Sequence, residues 1–154
     1  MFAHILVPTD GSERSEEAIR MAVALAGESG AKLTGLHVIP AFHVLAYDPT
    51  MLSGTEGQFL EIAQQHAEDY LTAVTKTAVQ AGVECETVAV THAQPYEAIV
   101  SAATQRNCDL IVMASHGRSG MRALLLGSET QKVLTHSQIP VLVVRKAQDA
   151  GTHS

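Results

Sequence analysis

The chain is expected to fold as one α/β domain: a doubly wound, five-stranded parallel sheet with helices on both faces, Rossmann-like in layout. Three observations lead there. Short apolar runs, Ile5-Leu6-Val7, Leu110-Ile111-Val112-Met113 and Val141-Leu142-Val143-Val144, have the unbroken hydrophobicity of strands buried on both faces. Longer stretches between them carry apolar residues at helical spacing. The resulting order, β-α-β-α-β-α-β-α-β, calls for parallel strands with right-handed crossovers. A length of 154 residues suits one domain with a real core, and 46% apolar against 17% charged residues argues against disorder. The domain is expected over 1–146, with 147–154 a frayed tail.

Each element has local support. Ile5-Leu6-Val7 reads as a central strand, and Thr9-Asp10-Gly11-Ser12 as the turn after it. Asp10 or Ser12 can cap the first helix, whose acidic opening (Glu13, Glu16, Glu17) suits the helix dipole. Ala18, Ile19, Ala22, Val23, Leu25 and Ala26 form its apolar face, and Gly27 and Gly30 end it. Lys32 to Val38 is the second strand. Residues 40–57 lack a period but hold turn signals and six large apolar side chains, which fits either a lid or partner surface, or a loop packing on itself. Gln58 to Gln80 is a long helix with Phe59, Ile62, His66, Tyr70, Ala73 and Val74 as its stripe, so His66 is expected in the core. Cys85 to Val90 is the third strand. Pro95 sits near the start of the next helix, where its missing N–H costs nothing. Leu110 to Met113 is the fourth strand, and Val141 to Val144 the fifth, entered through Pro140.

Composition narrows the function. A net charge of −6 argues against a nucleic-acid binder. No apolar run approaches 18 residues, so no membrane span is expected, and the N-terminus lacks the basic region of a signal peptide. Cys85 and Cys108 form no CxxC and read as small buried side chains in a reducing, cytoplasmic setting.

The chemistry concentrates between the last two strands. Gly117 and Gly127 bracket a loop, and Gly127-Ser128 opens a short helix, Glu129-Thr130-Gln131-Lys132-Val133-Leu134, with Ser128 as its expected N-cap. Residues 113–136 carry Arg118, Arg122 and Lys132 against Glu129, a net +2, while the rest of the chain carries −8. A helix N-terminus in a basic, glycine-bracketed loop is a natural site for a small anion. The plainer alternative is that the glycines turn the chain and Ser128 only caps. In a doubly wound sheet, ligands gather at the carboxyl ends of strands where the strand order switches. If the first and fourth strands are neighbours there, Asp10 and this loop share one crevice. Neither GxxxxGK[ST] nor GxGxxG is present, which removes P-loop and dinucleotide-fingerprint readings.

These residues carry a resemblance. From Ile5-Leu6-Val7-Pro8-Thr9-Asp10-Gly11-Ser12 through Ala114, Gly117 and Gly127-Ser128 to Pro140-Val141-Leu142-Val143-Val144, the chain resembles the nucleotide-binding branch of the universal stress protein family. That branch has the pattern Gly, two residues, Gly, nine residues, Gly, then Ser or Thr. The first glycine is Ala114 here, whose methyl would narrow the approach of a ribose or phosphate to the backbone. The resemblance implies ATP, or ADP or AMP, with or without magnesium. Pro8, Thr9 and Asp10 would lie near the adenosine, Val38 would line the adenine pocket, and Met113 and Ala114 would flank the ribose. Ser115, His116, Gly117, Gly127, Ser128, Glu129 and Thr130 would surround the phosphates. It also implies a homodimer through the last strand, which fits the aggregation hazard of an exposed Val141–Val144 edge.

Enzyme signals are weak. None of the eight histidines forms HxxxH or HExxH, and Ser119 is not in a GxSxG elbow. His116 is expected to contact phosphate. Three readings stand: a dimeric nucleotide-binding stress or regulatory module with slow or no hydrolysis, an ATP or AMP hydrolase or transferase of related fold, and a nucleotide-free dimeric interaction module.

Overall fold

A computed structural model describes residues 1–41, 56–116 and 126–145. Its elements follow the expected alternation: β1 (His4–Pro8), α1 (Glu13–Ser29), β2 (Lys32–Pro40), α2 (Glu56–Gln80), β3 (Cys85–His92), α3 (Pro95–Gln105), β4 (Leu110–Ala114), α4 (Ser128–His136) and β5 (Val141–Val144). All strand pairs are parallel, in the order β3-β2-β1-β4-β5. The order reverses between β1 and β4, so the switch point lies where expected. Most of the 40–57 stretch and the 147–154 tail fall outside the described residues.

Two apolar layers hold the sheet. On one face Ile5, Val7, Leu33, Leu110 and Val112 pack with Ala18, Ile19, Ala22 and Val23 of α1 and Val74 and Ala78 of α2. On the other, Leu6, Leu36, Ile111 and Met113 pack with Ile99, Ala102 and Ala103 of α3 and Val133 of α4. Residues alternate faces along each strand, which is why runs such as Leu110–Met113 must be apolar throughout.

The α2 stripe differs from expectation. Its buried residues are Ala67, Leu71, Val74 and Ala78. His66 and Ala73 lie on the exposed side, and His66 stacks on Tyr70 with ring centroids 5.8 Å apart. A histidine tip keeps its hydration there, so the core position goes to smaller apolar neighbours. The helix also runs close to the sheet, because Gly35 on β2 faces Val74 without a side chain.

A polar clasp closes the amino ends of the strands. Glu86 on β3 accepts hydrogen bonds from Thr34 Oγ1 (3.1 Å) and Arg106 (2.8 Å), and its other oxygen lies 3.2 Å from Lys32 Nζ. Lys32, foremost, holds the Glu86 carboxyl below its ordinary range. Asp109 accepts from the backbone N–H groups of Ala3 and His4, tying β1 to the start of β4. Of the cysteines, Cys108 is buried and Cys85 half-buried; burial pushes the Cys108 thiol up to about 11, which keeps it inert.

Candidate functional site

The site is built on the β1–α1 turn. Gly11 takes φ +79°, a conformation that side chains resist, and lets the chain double back into α1. Asp10 Oδ1 accepts from Ser12 N (2.9 Å), and Ser12 caps α1 by accepting from Ser15 N (3.2 Å). Thr9 is buried, with its hydroxyl 3.0 Å from Ser15 Oγ and accepting from Gly11 N. His37 Nδ1 donates to the Thr9 carbonyl at 2.8 Å and meets Tyr70 edge-on at 5.1 Å. The Tyr70 ring covers Gly11 so closely that a β-carbon there would overlap it. His37 and Tyr70 are supports that sequence reasoning missed; a histidine inside the apolar run of the second strand was the available signal.

Across the switch point, Ala114 ends β4 and Ser115 continues its ladder, its N–H donating to Val144 O at 3.0 Å. Helix α4 is pinned to this end at two points. Gly127 N–H donates to Ser115 O (2.8 Å), and Thr130 Oγ1 donates to Ala114 O (3.0 Å). Gly127, not Ser128, is the N-cap of α4. It has no side chain to offer, and Ser128 is the exposed first residue of the helix. The cap shifts because the residue there must pack on the backbone of His116, where a β-carbon would come within 2.8 Å of His116 Cβ. The N–H groups of Ser128, Glu129 and Thr130 thus begin a helix without a side-chain cap, the arrangement that attracts an anion.

Several expected phosphate-side groups are committed elsewhere. Glu129 Oε2 accepts from Tyr96 N at the start of α3 (2.9 Å), and its Oε1 lies 3.6 Å from Lys132 Nζ. The Thr130 hydroxyl donates to β4, as above. Ser115 Oγ lies 3.1 Å from His116 Nδ1, and both residues are buried. That pair superficially resembles a nucleophile and its base, but among the described residues Nε2 of His116 meets no polar partner that could orient the ring. Burial, then the charges of Arg14 and Arg145, holds the His116 pKa below its ordinary value. Gly117 falls outside the described residues. Among the described residues, what remains at the α4 terminus is backbone amides and the Ser128 hydroxyl. Among the described residues no cluster of His, Cys, Asp or Glu could hold a metal ion, and no helix is long and apolar enough to cross a membrane.

The profile of the universal stress protein family matches residues 1–145. The chain belongs to that family. Universal stress protein MJ0531 of Methanocaldococcus jannaschii is 32% identical over 146 residues, covering 95% of this chain and 84% of the relative. The solved structure of MJ0577, a universal stress protein from the same organism, superposes with a TM-score of 0.80 at 28% identity, covering 97% of this chain and 99% of that one. A universal stress protein solved in complex with cAMP superposes with a TM-score of 0.72 at 26% identity, covering 95% and 99%. Against the family's glycine pattern, the departure at Ala114 has a structural answer. Ala114 packs into the layer on the α1 side of the sheet, whereas Val38 and Met113 belong to the layer on the α3 and α4 side. Its methyl and the helix terminus of α4 therefore lie on opposite faces.

Proposed function

We propose that this universal stress protein binds an adenine nucleotide at the carboxyl ends of β1, β2 and β4, as a dimeric stress or regulatory module with slow or no hydrolysis. The observation that carries the reading is the start of α4: uncapped amides of Ser128, Glu129 and Thr130, clamped to the end of β4 by Gly127 and Thr130. Phosphate is held there by backbone N–H groups and the Ser128 hydroxyl. Adenine lies toward Val38, with Pro8, Thr9 and Asp10 near the adenosine and Met113 and Ala114 on the ribose side. The related protein bound to cAMP supports this class of ligand. ATP, ADP and AMP all present the required phosphate, and a magnesium ion would draw most of its ligands from phosphate and water. Slow or absent hydrolysis accords with Ser115 and His116 both being buried, with Ser115 Oγ 3.1 Å from His116 Nδ1. A cytoplasmic setting accords with two unpaired cysteines.

Isothermal titration with ATP, ADP and AMP in the presence of magnesium tests the reading; no heat from any of them sinks it. Ligand at about 100 times its dissociation constant should stabilise the fold by roughly 2.7 kcal/mol. At about 2–4 °C per kcal/mol the melting temperature should rise by roughly 5–11 °C. Ser128→Ala isolates the hydroxyl contact, because that hydroxyl caps nothing: apo stability should stay within about 0.5 kcal/mol while affinity weakens. Ala114→Gly should bind no tighter than the wild type, since the methyl packs away from the Val38 face. A clear gain in affinity would place the methyl in the ligand's path after all.

The dimer is proposed through β5. Among the described residues β5 pairs only with β4, its sequence is wholly apolar, and Leu142 is 37% exposed. Such an edge invites pairing with another strand. Val143→Asp should convert a dimer at micromolar concentration into monomer or aggregate. Sedimentation showing only monomer for the wild type would remove this part of the proposal.

A further inference from the structure

His116 is only 3% exposed, and among the described residues nothing pairs with its Nε2. Interiors seldom leave a polar atom in that state without a reason. The residue is also next to the proposed anion site through its Cα and Cβ. Gly127, the N-cap of α4, packs directly on His116, with room for no β-carbon between them, and its N–H is bonded to Ser115 O. Among the described residues, the charged neighbours that act on the ring are Arg14 at the start of α1 and Arg145 just beyond β5. The acids of the flanking elements are engaged elsewhere: Glu129 of α4 with the start of α3, and Asp10 of the β1–α1 turn with Ser12 N. Burial and two cations therefore all favour the neutral imidazole.

We propose that His116 couples phosphate binding at the start of α4 to uptake of a proton on its own ring. The coupling rests on the nucleotide reading above. A phosphate held by the Ser128–Thr130 amides brings negative charge close to the ring and offsets the field of Arg14 and Arg145. The imidazolium then becomes favourable. Both ring nitrogens become donors, so Nδ1 donates to Ser115 Oγ and that hydroxyl turns its own proton outward. The effect is reciprocal: if phosphate favours the proton, the proton favours phosphate by the same factor. The sign follows from the phosphate charge, which acts on a ring whose proton affinity burial, Arg14 and Arg145 hold below the ordinary value. Well above the ordinary histidine value of about 6.5 the ring is neutral in both states, and affinity is flat. As pH falls through that value the occupied site takes up a proton first, so binding tightens. His116 is a positioning residue in this scheme and takes part in no bond making.

Cyclic AMP is the probe of choice, because its phosphodiester keeps one charge across the range and cannot supply the proton linkage itself. Adenosine is the uncharged control. Titration calorimetry from pH 8 to 5.5, in buffers of differing ionisation heat, should show cAMP binding tightening roughly threefold to tenfold as the pH falls, as expected for charges several ångströms apart at a partly screened site. Proton uptake should accompany it, and adenosine affinity should stay flat. His116→Gln should abolish the pH dependence, whatever its own affinity. Should that variant fold poorly, the NMR titration of the His116 ring in the wild type is an independent reading: its midpoint should rise when cAMP is bound. Wild-type cAMP binding that is independent of pH, an equal dependence for adenosine, a dependence that survives in His116→Gln, or an unmoved midpoint each overturns the coupling while leaving the nucleotide site standing. Absence of binding by both probes at every pH overturns the site and the coupling together.

Discussion

Gly127→Val is expected to lower the melting temperature and to remove nucleotide binding in one step. The backbone at Gly127, φ −65° and ψ 156°, is open to any residue, so the obstacle is space. A β-carbon would stand 2.8 Å from His116 Cβ, 3.1 Å from His116 Cα and 3.5 Å from Ser115 O. Those atoms belong to a chain held in register by Ser115 N–H donating to Val144 O, and cannot swing aside as a long side chain would. Helix α4 must instead lift from β4, losing the bond from Gly127 N–H to Ser115 O. Overpacking of this kind costs about 1–3 kcal/mol, and the branched valine belongs at the upper end. The melting temperature should fall by roughly 2–12 °C at about 2–4 °C per kcal/mol. Because the three amides of α4 move with the helix, titration well below the melting point should find ATP affinity reduced by more than tenfold. A variant that melts and binds like the wild type would show that α4 is not seated on His116.

The second large effect is expected at Gly35→Ala, remote from any phosphate. An added β-carbon would lie 2.9 Å from Val74 Cγ1, 3.2 Å from its Cβ and 3.3 Å from its Cγ2. Val74 is fully buried, and a β-branched side chain on a helix has essentially one rotamer, so it cannot turn away. The helix and the sheet must separate, at a cost of about 1–3 kcal/mol, readable by urea denaturation. Tyr70 lies one turn earlier on α2 and covers Gly11. Lifting α2 therefore loosens the β1–α1 turn and should weaken nucleotide binding as well. A change in stability within about 0.5 kcal/mol would mean that the helix yields without strain.

Much of this fold can be read from the sequence because burial on both faces leaves the central strands no choice. Ile5-Leu6-Val7 and Leu110–Met113 are apolar at every position and became β1 and β4, side by side at the switch point. The first helix was equally legible, since Ser12 caps it and Gly30 ends it in a left-handed conformation. The face of α2 was not. Leu60, Ile62 and Val79 are exposed while Ala67 and Ala78 are buried. Size decides that choice more than hydrophobicity, because Gly35 draws the helix close to the sheet. The start of α4 was misread by one residue for a related reason. Serine is the better cap in isolation, but only glycine fits against His116, a constraint that lies in the tertiary contact. Nor could spacing reveal that Glu129 reaches α3 or that Thr130 reaches Ala114, since each partner lies more than ten residues away along the chain.

The sheet has a second edge, and its chemistry limits how large an assembly can grow. A two-fold axis beside β5 would join two copies into one continuous sheet of ten strands, with β3 at both ends. An isologous contact of this kind uses up β5 on each copy, so further growth would have to begin at β3. That strand, Cys85-Glu86-Thr87-Val88-Ala89-Val90-Thr91-His92, sets a carboxylate and two threonines among its apolar residues, and Glu86 is already bound to Lys32 and Arg106. Adding a strand there would crowd a charge that is in place before any neighbour arrives. On the proposed dimer one edge would be adhesive and the other self-terminating, so a closed pair, and not an open filament, would be the natural end of association.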